Sequence, residues 1–324
     1  MLSSRTTLHV RMVIAVAALV IVTIAFLAGI WAVFYGLFVT IMIPFASELA
    51  ALIAIATLLE TVYLEYKQID RIERLADAHP IDTEEYPELY QLVTKIATQL
   101  DVPVPTIALS DRNVPEALAI GFRPRNVHLI LSTGTLNALD EAELEAVIAH
   151  ELAHVKNGDA LIMTVLSLPV IAADEVRSSL QETNEPNQAW FIIGPLYVVS
   201  TVSWVIGRSI TARVSRVRER VADQTAANVT GSPTALASAL SRLDQEIQET
   251  PSWDLRDASG ITSLSILPLE PREIEKIMLG PDGDIEPSYW ELRKRLHRVE
   301  RWLFGTHPPT DERITSLVEM ERDR

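Results

Sequence analysis

The sequence predicts a mainly α-helical membrane protein that also carries a water-exposed α+β domain with a small β-sheet. Three observations support this prediction. Long apolar runs occur in the first and middle thirds of the chain, short β-rich segments stand between them, and helical spacing recurs in most of the remainder. With 324 residues, 48% of them hydrophobic, the chain is long enough for one or two ordinary domains.

The first 75 residues are predicted to form an N-terminal transmembrane hairpin. Apart from Glu48, residues 12–59 carry no charge. This block is too long for one span and suits two helices of about 20 residues each, joined by a tight turn near Gly36. A secretory signal peptide is the alternative, because two arginines precede the run. Its apolar core would span only about 7–15 residues, whereas the hydrophobicity here continues.

Between the first hairpin and the middle of the chain, the pattern predicts one helix followed by a small sheet. The helix covers residues 88–100, and the strands cover residues 106–110, 117–122 and 127–132, with a turn at 123–126. An exposed edge strand of this sheet would let an extended peptide add as a further strand. A sheet that only packs against the next helix is the alternative.

The segment after the sheet carries the most specific chemical pattern, His150-Glu151-Leu152-Ala153-His154. Asp140 followed by Glu143 forms an acidic capping box, which predicts that a helix starts there. Histidines four residues apart then share one helix face, where both imidazoles can bind the same ion. The pattern predicts a zinc site whose water has Glu151 beside it as a base.

The composition limits the ligands and the partners. The chain has no cysteine, so a metal site must use histidines and carboxylates. Its net charge of −15 argues against nucleic acid as a partner, since nucleic-acid binding requires positive charge.

Two further apolar runs, residues 160–173 and 189–206, are predicted to form a second transmembrane hairpin at about 160–207. The first of them is short and is predicted to continue the helix of the histidine pattern; a buried core helix is its alternative. Basic residues cluster before the first run, after the second, before the third and after the fourth: Arg5, Arg11, Lys67, Arg71, Arg74, Lys156, Arg208 and Arg213. By the positive-inside rule, both termini and the histidine pattern face the cytoplasm.

Glu219 and Asp223 lie beyond the fourth run and, being four residues apart, share a helix face. A site with two histidine ligands needs a third protein ligand and an acidic group that orients a ligand imidazole. The alternative is a solvated helix on which Arg216 and Arg220 pair with Glu219.

The C-terminal part is predicted to contain three helices and one surface segment. Helices are expected at residues 233–247 and 289–303, the latter with Trp290 and Trp302 as packing residues, and another begins after the prolines that follow His307. Residues 252–284 are predicted to run over the surface with a short helix at 272–278.

Three groups of residues, taken in this order and spacing, resemble the HtpX family of membrane-bound zinc metalloproteases, relatives of the type I CAAX prenyl endopeptidases. The groups are residues 149–159, Arg218-Glu219 with Ala222-Asp223, and Thr306-His307-Pro308-Pro309 with Arg313-Ile314. The resemblance covers about residue 85 to the C-terminus. It implies a cytoplasmic zincin-like α+β metalloprotease domain at residues 80–324, interrupted by the second hairpin.

The resemblance also implies a role for individual residues. One Zn²⁺ per chain would be held by His150, His154 and Glu219. Glu151 would be the general base, Asp223 would hold a ligand histidine, and His307 would contact the substrate or the oxyanion. Arg313 would be structural.

The substrate backbone would run along a strand at Glu116, Ala117 and Leu118. The family commonly has Asn-Ala-Phe-Ala here, whereas this chain has Glu-Ala-Leu-Ala. An ionised Glu116 cannot donate the hydrogen bond that an amide would give to the substrate backbone.

The implied function is that of a membrane-anchored zinc endopeptidase of the cell membrane, active in membrane-protein quality control and the stress response. Its partners would be polypeptide substrates, above all membrane proteins, and the lipid bilayer. A catalytically inactive membrane scaffold or chaperone with the same fold is the alternative.

An intramembrane protease is disfavoured, since charges such as Glu145 and Lys156 flank the histidines. A transporter is disfavoured because Glu48 is the only charge in the apolar runs.

Overall fold

The computed structural model describes residues 4–75, 78–121, 127–182, 190–249 and 290–324, and most of these are helical. The helices are α1 Ser4–Thr40, α2 Ala46–Leu75, α3 Pro87–Leu100, α4 Thr133–Ala138, α5 Glu141–Asn157, α6 Asp159–Glu182, α7 Trp190–Thr230, α8 Pro233–Glu249, α9 Trp290–Phe304 and α10 Thr310–Arg322. The strands are β1 Ala78–Pro80, β2 Thr106–Ser110, β3 Ala117–Ile120 and β4 His128–Ser132.

The chain forms two compact units. The first comprises Met1–Arg71 and Leu161–Val214, and the second comprises Ile72–Ala160 and Ser215–Arg324. The domain prediction places the breaks near residues 75, 160 and 207. The predicted turn at 123–126 and the predicted surface segment at 252–284 lie outside the described residues.

The first hairpin turns at residues 41–45, later in the chain than the turn predicted near Gly36. Gly36 lies inside α1, where its carbonyl accepts a hydrogen bond from Thr40 Oγ1 at 2.7 Å. The helix ends just before Pro44, which has no N–H to donate to a further helical turn. Met42 and Phe45 take positive φ angles of 57° and 60° and reverse the chain.

Three helices of the described residues are long and apolar enough to cross a membrane, rather than the four predicted. They contain the candidate spans Val13–Thr40, Ala46–Tyr63 and Phe191–Thr230. Helix α6 covers the remaining predicted span at 160–173, but its second half carries Asp174, Glu175 and Arg177. Helix α6 also does not continue the helix of the histidines, because α5 ends at Asn157 and Gly158 separates the two helices.

Helices of the first unit approach one another closely. Phe26 and Ile30 of α1 are buried with Ala172 and Ala173 of α6. A Cβ on Gly29 would lie 2.5 Å from Val199 Cγ1. Small residues allow such approach between helices that a membrane surrounds.

The sheet of the second unit has the strand order β1-β2-β4-β3. Strands β2 and β4 are parallel, and the two outer strands, β1 and β3, run antiparallel to their neighbours. The three predicted strands are present, with β3 ending at Ile120. Strand β1 was not predicted, because the Pro80 that ends it indicates a break; Pro fits there since the strand lies at an edge.

Helix α5 lies in the core of the second unit and sets the position of the site. Ala146, Val147, Ile148, Ala149 and Leu152 are completely buried on it. Helices α3 and α8, both predicted, share its hydrophobic core. The buried Glu143 side chain also links α5 to α8, since Glu143 Oε1 accepts a 2.5 Å hydrogen bond from Ser238 Oγ.

Gly158 ends α5 in the left-handed conformation, with φ 68°. A Cβ there would meet no atom within 4 Å, so Gly158→Ala tests backbone conformation alone. We expect it to destabilise the protein by about 1–2 kcal/mol, measured as a lower thermal midpoint in detergent. Gly36→Ala, inside α1 and equally free of contacts, is the control and should lower no midpoint.

Candidate metal centre

Helix α5 places His150, Glu151 and His154 at one buried position. The predicted capping box fixes its start: Glu143 N–H donates to Asp140 Oδ1 at 2.9 Å, and Asp140 N–H donates to Glu143 Oε2 at 3.0 Å. One helical turn separates the two histidines, so their Nε2 atoms lie 3.1 Å apart. His150 and Glu151 are buried, and His154 is partly exposed.

Helix α7 brings Glu219 to the two histidines from a distant part of the sequence. Glu219 Oε2 lies 3.6 Å from His150 Nε2, and Oε1 lies 3.5 Å from His154 Nε2. One ligand atom from each of the three residues lies within 4.8 Å of the others. The structure thus brings together the three residues that the sequence predicts as metal ligands.

The spacing of these atoms fits zinc. In a tetrahedral site with bonds of about 2.0–2.1 Å, neighbouring ligand atoms lie about 3.3 Å apart. The two Nε2 atoms, 3.1 Å apart, are close to this value, and each lies within 3.6 Å of a different oxygen of the Glu219 carboxylate. Two imidazoles and one carboxylate are also the ligand set of catalytic zinc sites that keep a fourth position for water.

The alternative of a solvated helix around Glu219 is wrong. Glu219 and Asp223 are 6% and 5% exposed. Arg220 pairs instead with Glu312 at 2.5 Å, and Arg216 donates to the Gly305 carbonyl at 2.6 Å. These arginines therefore serve other contacts, and the two carboxylates face the interior.

Asp223 and Arg313 form a pair behind His150. Asp223 Oδ1 lies 3.0 Å from His150 Nδ1, the distance of an ion pair when the imidazole is protonated. The Arg313 guanidinium donates to both Asp223 oxygens, from Nε at 2.9 Å and from Nη2 at 2.6 Å. The Arg313 side chain is completely buried, and its positive charge compensates the negative charge of Asp223.

A second pair, Asp159 with Arg218, stands behind His154. Asp159 Oδ2 lies 2.5 Å from His154 Nδ1, and Asp159 Oδ1 lies 2.7 Å from Arg218 Nη2. Sequence reasoning gave neither residue a role. The available signal was the Asn157-Gly158-Asp159 pattern, which ends one helix and starts the next, together with Arg218 beside Glu219.

The two imidazoles differ in their affinity for protons. Burial disfavours the charged form of His150, but the nearby carboxylates of Asp223 and Glu219 outweigh it and raise its pKa to about 9. Burial lowers the pKa of His154 to about 4. Burial also raises the pKa of Glu151, since it disfavours the charged carboxylate.

The edge strand β3 contacts Glu151 directly. The backbone N–H of Ala119 donates to Glu151 Oε2 at 3.0 Å, while Glu151 Oε1 is buried with no hydrogen-bond partner among the described residues. In an antiparallel pair, successive residues turn their backbone groups alternately toward and away from the neighbour. Ala117 and Ala119 thus direct their backbone N–H and C=O groups away from β4.

Glu116 and Leu118 direct their backbone N–H and C=O groups toward β4 instead. Glu116 precedes β3, and its backbone N–H and C=O bond to Ser132 Oγ and Ser132 N at 2.8 and 2.9 Å. Its buried side chain pairs with Arg112 at 3.2 Å. Leu118 alternates with Ala117 and so directs its backbone groups toward β4. The residues with outward-directed groups are therefore Ala117 and Ala119.

His307 reaches the same cluster from the segment before α10. Its Nδ1 lies 3.4 Å from Glu219 Oε2, and its side chain is 6% exposed. Within the described part of the chain, neither ring nitrogen has a hydrogen-bond partner. The ring is therefore placed beside the candidate ligands, with Nδ1 toward Glu219 and Nε2 available for a further contact.

The profile of Peptidase family M48 matches residues 83–321, more than half of the chain. The chain belongs to peptidase family M48. "Protease HtpX homolog 2" of Methanosarcina acetivorans is 32% identical over 250 residues, which cover 76% of either chain. "Protease HtpX homolog 1" of Streptomyces coelicolor is 33% identical over 259 residues, 78% of this chain and 77% of the relative.

Among solved structures, S. mikatae Ste24p is similar with a TM-score of 0.46 and 15% identity, over 79% of this chain and 56% of that chain. Membership of peptidase family M48 makes the protein a metalloprotease, and the match to HtpX homologues confirms the resemblance seen in the sequence. The three apolar helices support association with a membrane.

Proposed function

We propose that the protein is a membrane-anchored zinc endopeptidase with its site at the cytoplasmic face. One observation carries the proposal: His150, His154 and Glu219 each offer a ligand atom within 4.8 Å of the others, and Glu151 lies beside His150 on α5. His150, His154 and Glu219 are the proposed ligands. Asp223 and Asp159 hold the two imidazoles through their other nitrogens.

The bound zinc ion would lower the pKa of a water molecule toward about 7 and polarise the peptide carbonyl. Glu151 accepts the proton from the attacking water and passes it to the leaving amine. Its buried Oε1 has no hydrogen-bond partner among the described residues and is the atom available for that proton. His307 donates a hydrogen bond to the oxyanion from Nε2.

Strand β3 is the proposed binding surface for the substrate backbone. An extended peptide can pair with an edge strand through main-chain hydrogen bonds, and Ala117 and Ala119 have the backbone groups directed outward. The Ala119 N–H, now bonded to Glu151, lies next to the base. A peptide paired here would therefore pass beside Glu151.

The proposed topology follows from the order of the site residues along the chain. His150 and His154 precede α6 and α7, whereas Glu219 follows the apolar part of α7. These residues meet at one site, so the intervening segment must cross the bilayer an even number of times. The intervening segment contains one candidate span, in α7, so the return to the same side would have to be made through α6, whose apolar part is residues 160–173.

The substrates are proposed to be polypeptides, chiefly membrane proteins. A protease tethered to a bilayer meets membrane-bound substrates at high effective concentration. A role in quality control or the stress response stays a prediction.

Asp159→Asn tests the role assigned to the pair behind His154. The amide keeps the size of the side chain but loses the charge that attracts the His154 N–H and Arg218. We expect zinc affinity to fall about 10–100-fold, measured by competition with a chelator. Asp82→Asn, at an exposed position, is the control. Unchanged affinity in the Asp159 variant would leave Asp159 a purely structural role.

The test of the proposed function is casein cleavage by the purified protein before and after chelation. We expect one zinc per chain, loss of cleavage when zinc is removed, and recovery when zinc alone is returned. An inactive scaffold or chaperone would bind zinc without cleaving in any of these conditions. Cleavage that persists in the metal-free protein would contradict the proposal.

A further inference from the structure

Helix α9 exposes a continuous apolar stripe. Leu292, Leu296 and Val299 follow one another at helical spacing and are 53%, 59% and 52% exposed. Trp302, next to the stripe, is 68% exposed, so the prediction that it packs in the protein is wrong. An apolar stripe on a helix of a water-soluble domain normally faces the core; on α9, it faces outward.

The charge of α9 is opposite to that of the chain. The helix carries two acidic residues, and its five basic residues are Arg293, Lys294, Arg295, Arg298 and Arg301. The whole chain has a net charge of −15. At 100° per residue, Arg295 borders the apolar stripe and Arg298 and Arg301 lie on the other side of the helix. The helix is thus both basic and amphipathic.

The C-terminal end of α9 is fixed to the second unit. Arg216 Nη1 donates to the Gly305 carbonyl at 2.6 Å, and the Gly305 N–H bonds to the Arg301 carbonyl at 2.8 Å. A Cβ on Gly305 would lie 2.5 Å from that Arg301 oxygen, so only glycine fits. The helix is therefore held at one end, while its stripe remains exposed in the described structure.

We propose that α9 lies in the surface of an anionic lipid bilayer, with its apolar stripe among the acyl chains and its arginines at the headgroups. Leu and Trp on one face with Arg on the other is the pattern of helices that lie in the membrane interface. Trp302 would occupy the headgroup level, where tryptophan is enriched.

A bilayer is a better occupant than a protein partner. The chain carries its own candidate spans, so a lipid surface is always within reach and acts at high effective concentration. The positive helix on an acidic chain also matches the negative charge of anionic lipids, where each basic residue favours the bound state about fivefold. This inference does not depend on the protease activity.

Site-specific fluorescence in the full-length protein tests the proposal. The chain has no cysteine, so Leu296→Cys provides one labelling site for an environment-sensitive dye. Gln99→Cys, at an exposed position on α3, is the control. Both proteins are reconstituted in vesicles of phosphatidylcholine alone or of phosphatidylcholine mixed equally with phosphatidylglycerol. Spin-labelled lipid is the quencher.

We expect the spin label to quench the dye at position 296, more strongly in the mixed vesicles, and to leave the dye at position 99 unaffected. Replacing Arg295, Arg298 and Arg301 by Gln should weaken the lipid contact about 100-fold and remove the preference for phosphatidylglycerol. Equal quenching at both positions would overturn the proposal. So would a dye at 296 that is shielded from aqueous iodide but not quenched by lipid, because protein would then cover the stripe.

Discussion

Glu151→Gln is expected to abolish most of the peptide-bond cleavage while leaving the zinc content unchanged. The glutamine keeps the shape of the side chain and still offers an oxygen to the Ala119 N–H, which donates to Glu151 at 3.0 Å in the structure. It cannot accept a proton from water. We expect the rate of casein cleavage to fall about 10²–10⁴-fold, the usual contribution of a positioned general base.

The matched control is Glu145→Gln, the same change on the same helix. Glu145 pairs with the exposed Lys95 at 2.7 Å, and loss of such a surface pair costs about 1 kcal/mol or less. Its cleavage rate and zinc content should match those of the wild type. Normal cleavage by Glu151→Gln would refute the role of Glu151 as base, and loss of zinc from that variant would show that Glu151 acts on the metal site instead.

Local signals in the sequence predicted the core of the site. The capping box at Asp140 and Glu143 gave the start of α5, and the spacing of four residues placed His150 and His154 on one face. The same spacing placed Glu219 and Asp223 together on α7. These predictions succeeded because each depends on the geometry of a single helix.

The features that the sequence did not reveal depend on contacts between distant segments. Strand β1 exists through its pairing with β2, and its Pro80 indicates a break when the sequence is considered alone. Asp159 and Arg218 meet across α6 and α7, so no spacing rule connects them. The exposure of Trp302 was likewise missed, because an amphipathic pattern shows which residues share a face but not what covers that face.

Glycine and proline needed their context to be interpreted. A turn was predicted near Gly36, yet a single glycine within an apolar run can remain helical, and α1 continues to Thr40, four residues before Pro44. Gly158 was taken to lie within a continuous helix, although Asn-Gly-Asp combines a helix C-terminus with a helix start. The structure shows φ 68° there, which is the observation that separates α5 from α6.

Glu219→Ala is expected to remove zinc from the protein. Only three protein ligands are proposed, and the variant leaves two imidazoles, which do not complete a three-ligand site. The loss of zinc affinity should exceed the roughly 10–100-fold effect of removing a residue that only holds a ligand. Zinc content after dialysis against a chelator is the measurement, and casein cleavage should disappear with the metal.

Glu312→Ala provides the control for Glu219→Ala. Glu312 is also a carboxylate of the second unit, but it is half exposed and pairs with Arg220, the neighbour of Glu219. Its removal should leave zinc binding and cleavage unchanged. If Glu219→Ala retained zinc through the same dialysis, the third ligand would have to be another group beside the histidines. His307, whose Nδ1 lies 3.4 Å from Glu219 Oε2, would then be the first residue to replace.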